Sequence, residues 1–282
     1  MPIKAIQQFQ LRTELKTKAK AQETLRLVRD AGFEGIELNS FMINPMPMMV
    51  RTLTRMAGMP VGKSGHLDWH SLIGQSGLSV VSVHSDLGTI LRAPDQVIDM
   101  AKSFSTDTVV VTGMHRFDFS NKNAVLELSA KLNKAGKQLS QGSIRFLYHN
   151  HNCEFLKIAP DMTAYQLILE ETDPDYVGFE YDSYWACHAG VDTLSLMKTL
   201  GKRMELYHIN DRGPLASGKA GSILKSDSRE LGYGNMNLVE LVNTATKNGV
   251  KAIVLESHKN WAENSAVKSF QLSSKFMNQH IV

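Results

Sequence analysis

Cysteine is scarce in this chain: among 282 residues there are two, Cys153 and Cys187. Two thiols cannot build a disulfide framework in a chain this long, which excludes a cystine-stapled secreted scaffold. Each is expected to be a small buried hydrophobe. Long apolar runs are missing as well. No stretch approaches the roughly 20 apolar residues of a membrane-spanning helix, and the amino-terminal MPIKAIQQFQLR lacks the apolar core of a signal peptide. The expected compartment is therefore a reducing cytoplasm. Nor is there an excess of one charge: 31 basic against 28 acidic side chains leave +3, spread along the chain, which favours neither nucleic acid nor membrane as partner. No linker interrupts the pattern, so residues 1–282 are read as a single domain, and 43% hydrophobic residues suffice for one large core.

What is present is alternation. Short apolar runs are followed by longer amphipathic stretches, the pattern of βα units on a parallel sheet. The runs are Ile3–Leu11, GFEGIELN ending at Glu37, Gly77–His84, Thr106–Thr112, and four more within RFLYHNHNCEF, VGFEYDSYW, MELYHIND and KAIVLESH. Helices are predicted over Thr17–Ala31, Asn123–Leu139 and Asn237–Asn248, among others. Eight such units in a chain of this length describe a (β/α)₈ TIM barrel, a fold whose active-site groups sit at the carboxyl ends of the strands. One connection is too long for a simple loop. The insertion over about 40–76 holds six of the fourteen methionines, side chains that fill irregular apolar contacts. It is expected to be a lid over the mouth or a contact in a homodimer or homotetramer; within it, Trp69 is expected to pack inside rather than stack on substrate.

The last four runs each stop at a side chain able to ligate a cation: Glu154, Asp182, His208 and Glu256. Parallel strands of one barrel would bring these to one mouth. Three carboxylates and an imidazole gathered there would repel and shift one another's pKa values without a cation. A mononuclear divalent-metal site is therefore expected. Oxygen-rich ligation with one histidine suits Mn²⁺ first, then Mg²⁺, with Co²⁺, Fe²⁺ and Zn²⁺ as alternatives. His149 and His151 share one face of the fifth strand, opposite in parity to Glu154 if the strand stays regular. In that case one of these imidazoles is the base or the ligand, and a bulge near Asn152 decides.

The segments YHNHNCEF, FEYDSYWACHAG, LYHINDR, RELGYGNMN and VLESH, with GFEGIELN and VVSVHSDL before them, resemble the successive signatures of the sugar phosphate isomerase/epimerase group with the xylose-isomerase-like barrel. The resemblance runs from Ile3 through His258 and is most specific in the second half. It implies that Glu154, Asp182, His208 and Glu256 hold one divalent ion, and that Glu154 and Glu256 are also the proton-transfer pair on either side of a bound sugar. The implied reaction is isomerisation or epimerisation of a sugar or sugar phosphate through a metal-stabilised enediolate. A lyase acting on a keto-polyol, similar to inosose dehydratase, or on a 3-keto-sugar, is the alternative, since the same enediolate can expel a β-hydroxyl. An apurinic endonuclease is disfavoured, because Trp185 stands three past Asp182 and no DxH pair follows His208. A non-catalytic sugar-binding barrel is a further alternative.

Residues expected to meet a sugar or polyol are His84, His149, His151, Trp185, Asp211 and Arg212. Each has a plainer reading as a backbone-satisfied histidine, a core aromatic or an exposed ion pair. GPLASGKAGS is read as a flexible gate, with a phosphate site at Lys219 as the lesser reading. It lacks P-loop spacing.

Overall fold

The computed structural model describes residues 1–45, 64–112, 117–217 and 220–282. Eight parallel strands close into a barrel: β1 (Ile3–Gln7), β2 (Gly35–Asn39), β3 (Ser79–Ser85), β4 (Thr108–Thr112), β5 (Arg145–His149), β6 (Val177–Asp182), β7 (Met204–Ile209) and β8 (Ala252–Leu255). Each pairs with its sequence neighbours, and β8 closes on β1. Inside the barrel, small and branched side chains fill the taper, among them Ala5, Val110, Leu147, Leu206, Ala252 and Val254. A larger apolar layer lies between the strands and the surrounding helices.

The helices form where amphipathic stretches meet capping residues. Thr17 caps Lys18–Asp30, Asn121 caps Lys122–Ser140 and Asn237 caps Leu238–Asn248, each side-chain oxygen accepting an orphan N–H of the first turn. Gly249 ends the last of these at φ +84, a left-handed conformation that glycine adopts without a Cβ penalty. Among the described residues no helix is long and apolar enough to cross a membrane.

Two sequence expectations need adjustment. Of the insertion, residues 46–63 lie outside the described residues, so the lid and the subunit contact do as well. Its flanks are the short helix Ser40–Ile43 and the helix Trp69–Ser76, where Trp69 is buried and donates its indole N–H to Ser64 O at 2.9 Å. The stretch read as a flexible gate is instead part of an antiparallel hairpin, Asp211–Ser217 with Ala220–Arg229. Its backbone groups pair across the ladder, which local Gly/Ser content does not reveal; Lys219 lies outside the described residues.

Candidate metal centre

Strand register sets the site. Gln7 pairs with Glu37, Asn39 with His84, Thr112 with His149, His149 with Glu180 and Asp182 with His208. Polar residues thus occupy adjacent positions around the carboxyl end of the barrel, where side chains two apart share a face. Glu180 lies one layer below Asp182 for that reason.

The upper layer is His149, Asp182, His208 and Glu256, which offer donor atoms within 4.8 Å of one another. Asp182 ends β6 and caps the next helix. Its Oδ1 accepts from Trp185 N at 3.1 Å, while Oδ2 stands 4.0 Å from His208 Nδ1. Asn150 fixes the strand end by accepting from Asp182 N and donating to Asp182 O. Glu256 Oε2 is 3.0 Å from His208 Nδ1, and Oε1 is 2.8 Å from His258 Nε2. Ligands about 2.1 Å from an octahedral ion stand about 3.0 Å apart when adjacent, so these spacings suit a small divalent cation.

The electrostatics agree. Burial pushes the Asp182 carboxyl up to about 6, with Glu256 adding to the rise against His149 and His208. Burial works to raise the Glu256 carboxyl too, but His258 and His208 hold it well below its ordinary value. His208 Nε2 stands 2.8 Å from Glu37 Oε1 and Nδ1 3.0 Å from Glu256 Oε2; a proton on Nε2 bonds Glu37 and leaves the Nδ1 lone pair facing Glu256 and Asp182. Electron-rich atoms at that spacing need positive charge between them. Protonation is one source: burial lowers the His208 pKa, and Glu180, Glu37 and Glu256 reverse this and carry it well above the usual imidazole value. A divalent ion is the other.

The lower layer is Glu37, His84, Glu180 and His208, all buried. Glu37 Oε1 receives Gln7 Nε2 at 2.7 Å and His208, and stands 2.8 Å from His84 Nε2; Ser82 donates to Oε2. Glu180 Oε2 lies 3.1 Å from His84 Nε2, 3.1 Å from His149 Nδ1 and 3.2 Å from His208 Nε2. These approaches to Glu180 are off-axis, leaving both its oxygens, His84 Nε2 and His149 Nδ1 without an aligned partner. Burial lowers the His84 pKa, but Glu37 and Glu180 outweigh it and raise it to about 10. His84 therefore sits between two buried carboxylates, in a group of donors that could itself hold an ion.

The structure brings Asp182, His208 and Glu256 together as expected, and it does not bring Glu154 to them. β5 ends at His149, and the chain turns into a 3₁₀ helix at Cys153–Phe155. That turn carries the Glu154 carboxylate away from the group, where it accepts from Tyr148 OH at 2.9 Å, His151 N at 3.0 Å and Cys153 Sγ at 3.2 Å. His149 takes the fifth-strand place instead. Both cysteines are half-buried rather than core residues.

Asp211 is also committed elsewhere, its carboxylate accepting from the backbone N–H of Arg212, Gly232, Gly234 and Met236. Arg212 bonds Ser226 within the hairpin. Trp185 does line a pocket with Asp182, Glu256, His258 and Lys259. His151 stands beside it, ring centroids 5.6 Å apart; burial, then neighbouring His149, lowers its pKa to about 3 and keeps it neutral. His258, absent from the expected set, was signalled only by its place two past Glu256. Arg12 fixes that segment by donating to His258 O at 2.7 Å, its guanidinium 4.4 Å from the Phe9 ring centroid.

The sequence pattern of the xylose isomerase-like TIM barrel matches residues 25–279. Over 113 residues the chain is 32% identical to an inosose dehydratase of Mesomycoplasma hyopneumoniae, a stretch covering 38% of this chain and 37% of that protein. Among solved structures, it superposes on a sugar phosphate isomerase/epimerase from Parabacteroides distasonis with TM-score 0.74 at 19% identity, covering 97% of this chain and 92% of that one. A probable 3-DHS dehydratase from Bacillus anthracis gives 0.68 at 15% identity, covering 99% of each. At these identities the two structures share the fold with this chain.

Proposed function

Because the chain belongs to the xylose isomerase-like TIM-barrel family, we propose that it is a divalent-metal-dependent enzyme that removes a proton beside a carbonyl group of a sugar or polyol. The observation carrying this reading is the convergence of His149, Asp182, His208 and Glu256 at the barrel mouth, beside a pocket walled by Trp185 and His258. An ion held by those four residues supplies Lewis acidity to the substrate oxygens, with Mn²⁺ as the first candidate.

Glu256 is the base of this reading, its Oε1 facing His258 rather than the ligand group. Trp185 offers an apolar face to the carbon skeleton, and neutral His151 a hydrogen bond to a hydroxyl. Between the two outcomes open to an enediolate, elimination has the better support. Two-sided proton exchange needs a second base free of other partners, and of the other two carboxylates Glu154 is held under Tyr148 while Asp182 is committed to the Trp185 N–H and to the ligand group. His258 instead stands ready to protonate a departing β-hydroxyl. Glu256 takes the carbon-bound proton, the C–O bond breaks as a C=C bond forms, and water leaves with the His258 proton. Transfer from Glu256 to His258 across 2.8 Å then resets the pair. Dehydration is also the reaction named for the inosose dehydratase relative. Isomerisation or epimerisation is the second reading, in which a mouth imidazole such as His151 acts as the second proton-transfer group.

The test is a panel of ketoses, keto-polyols and their phosphates in deuterated water with Mn²⁺, scored for deuterium uptake and product. An unsaturated dehydrated product is expected; an aldose–ketose or epimer mixture carrying deuterium supports the second reading, and neither uptake nor a new product with any member refutes both.

A further inference from the structure

The proposed chemistry leaves two deeply buried carboxylates without a role. Glu37 and Glu180 are 0% exposed, come from β2 and β6, and lie beneath the mouth. Burying a charge without compensation costs several kcal/mol, so their retention calls for a physical reason. Their partners supply one. Glu37 Oε1 lies 2.8 Å from His208 Nε2, and Glu180 approaches His149 Nδ1 at 3.1 Å and His208 Nε2 at 3.2 Å without an aligned hydrogen bond. His84, anchored on Thr112, spans the two carboxylates. Gln7 and Ser82 hold Glu37 from the flanking strands.

We propose that Glu37 and Glu180 are positioning residues: a carboxylate floor, bridged by His84, in which Glu37 fixes the tautomer of His208 by a hydrogen bond and Glu180 holds the ring of His149 by close charge contact, so that both enter the metal site pre-oriented. The inference rests on the metal-site reading above. An imidazole can donate from one nitrogen and ligate with the other, and a carboxylate behind it fixes which nitrogen does which. Here the proton is assigned to His208 Nε2 and the lone pair to Nδ1, the atom facing Asp182 and Glu256. The floor lies one strand layer below the ligands, and neither Glu37 nor Glu180 lines the pocket walled by Trp185 and His258, so its route to substrate runs through the two histidines.

The experiment is Mn²⁺ titration by calorimetry on the wild-type chain, Glu37→Gln and Glu180→Gln, with thermal midpoints of each metal-free protein as the folding control. Long-range ¹H–¹⁵N spectra of the Zn²⁺-loaded wild type read the tautomers without any substitution. Affinity is expected to fall about 10–100-fold in each variant, with each metal-free variant still unfolding in a single cooperative transition and His208 protonated at Nε2 in the wild-type spectrum. Unchanged affinity in both variants, or His208 protonated at Nδ1, overturns the inference while leaving the metal site standing. A wild-type stoichiometry of two ions, one of them lost in Glu180→Gln, overturns it differently, by making the floor a ligand set. Failure of the wild type to bind Mn²⁺ or Zn²⁺ at all strikes the metal-site reading itself.

Discussion

The two ends of this barrel treat charge in opposite ways. At the amino-terminal end, Arg145 donates to Glu205 at 2.6 Å and to the carbonyls of Pro174 and Asp175, and Lys251 meets Asp107 at 3.3 Å. Gly178 leaves room for this arrangement, since a Cβ there would lie 2.4 Å from Glu205 Oε1. Every charge in that group has an opposite partner and access to water. At the carboxyl end, Glu37, Glu180, Asp182 and Glu256 are all buried, and some of their closest neighbours approach off-axis. One end is arranged for stability and the other for chemistry, the usual division in this architecture.

Substitutions can break or sharpen that contrast. The largest effect is expected at the mouth: Glu256→Gln should slow product formation and any solvent deuterium uptake by about 10²–10⁴-fold with the circular dichroism spectrum retained. Uptake at the wild-type rate would remove Glu256 from the chemistry. Next comes ion removal. Mn²⁺ added back after chelation at about 100 times its Kd should stabilise the fold by about 2.7 kcal/mol, read as a rise in thermal midpoint, and a flat midpoint would deny the mouth its cation. At the opposite end, Arg145→Ala should cost about 1–3 kcal/mol by removing a charge-assisted hydrogen bond to Glu205 and two bonds to carbonyls, with turnover per folded molecule intact; a selective loss of turnover would blur the division. The smallest effect is expected from Glu154→Gln, about 1 kcal/mol of stability with uptake close to wild type. A collapse as deep as that of Glu256→Gln would restore Glu154 to the proton-transfer pair.

The barrel was legible because its eight apolar runs are separated by helices with clear caps. Asp182, His208 and Glu256 were legible because each terminates such a run. Glu154 misled because strand periodicity was carried past His149, where the backbone has already turned; the parity of His149 against Glu154 held the warning. Glu180 was readable in principle, two residues before Asp182 and hence on the same strand face, but an interior acidic residue gains meaning only from partners on other strands. Glu37 needs His208, 171 positions away, and no local pattern reports that. The hairpin after β7 was hidden for the same reason: its ladder joins Asp211 to Arg229, and strand pairing belongs to the pair rather than to either segment.

Asp211 gathers four backbone N–H groups, one from the first foot of that hairpin and three from the turn beyond its second strand. Gly234 sits so close that a Cβ would lie 2.3 Å from the carboxylate. The arm is therefore clamped at its base. Lengthening, trimming or exchanging its outer half leaves the anchorage untouched, so the arm can diverge as a cassette while the barrel beneath keeps its shape.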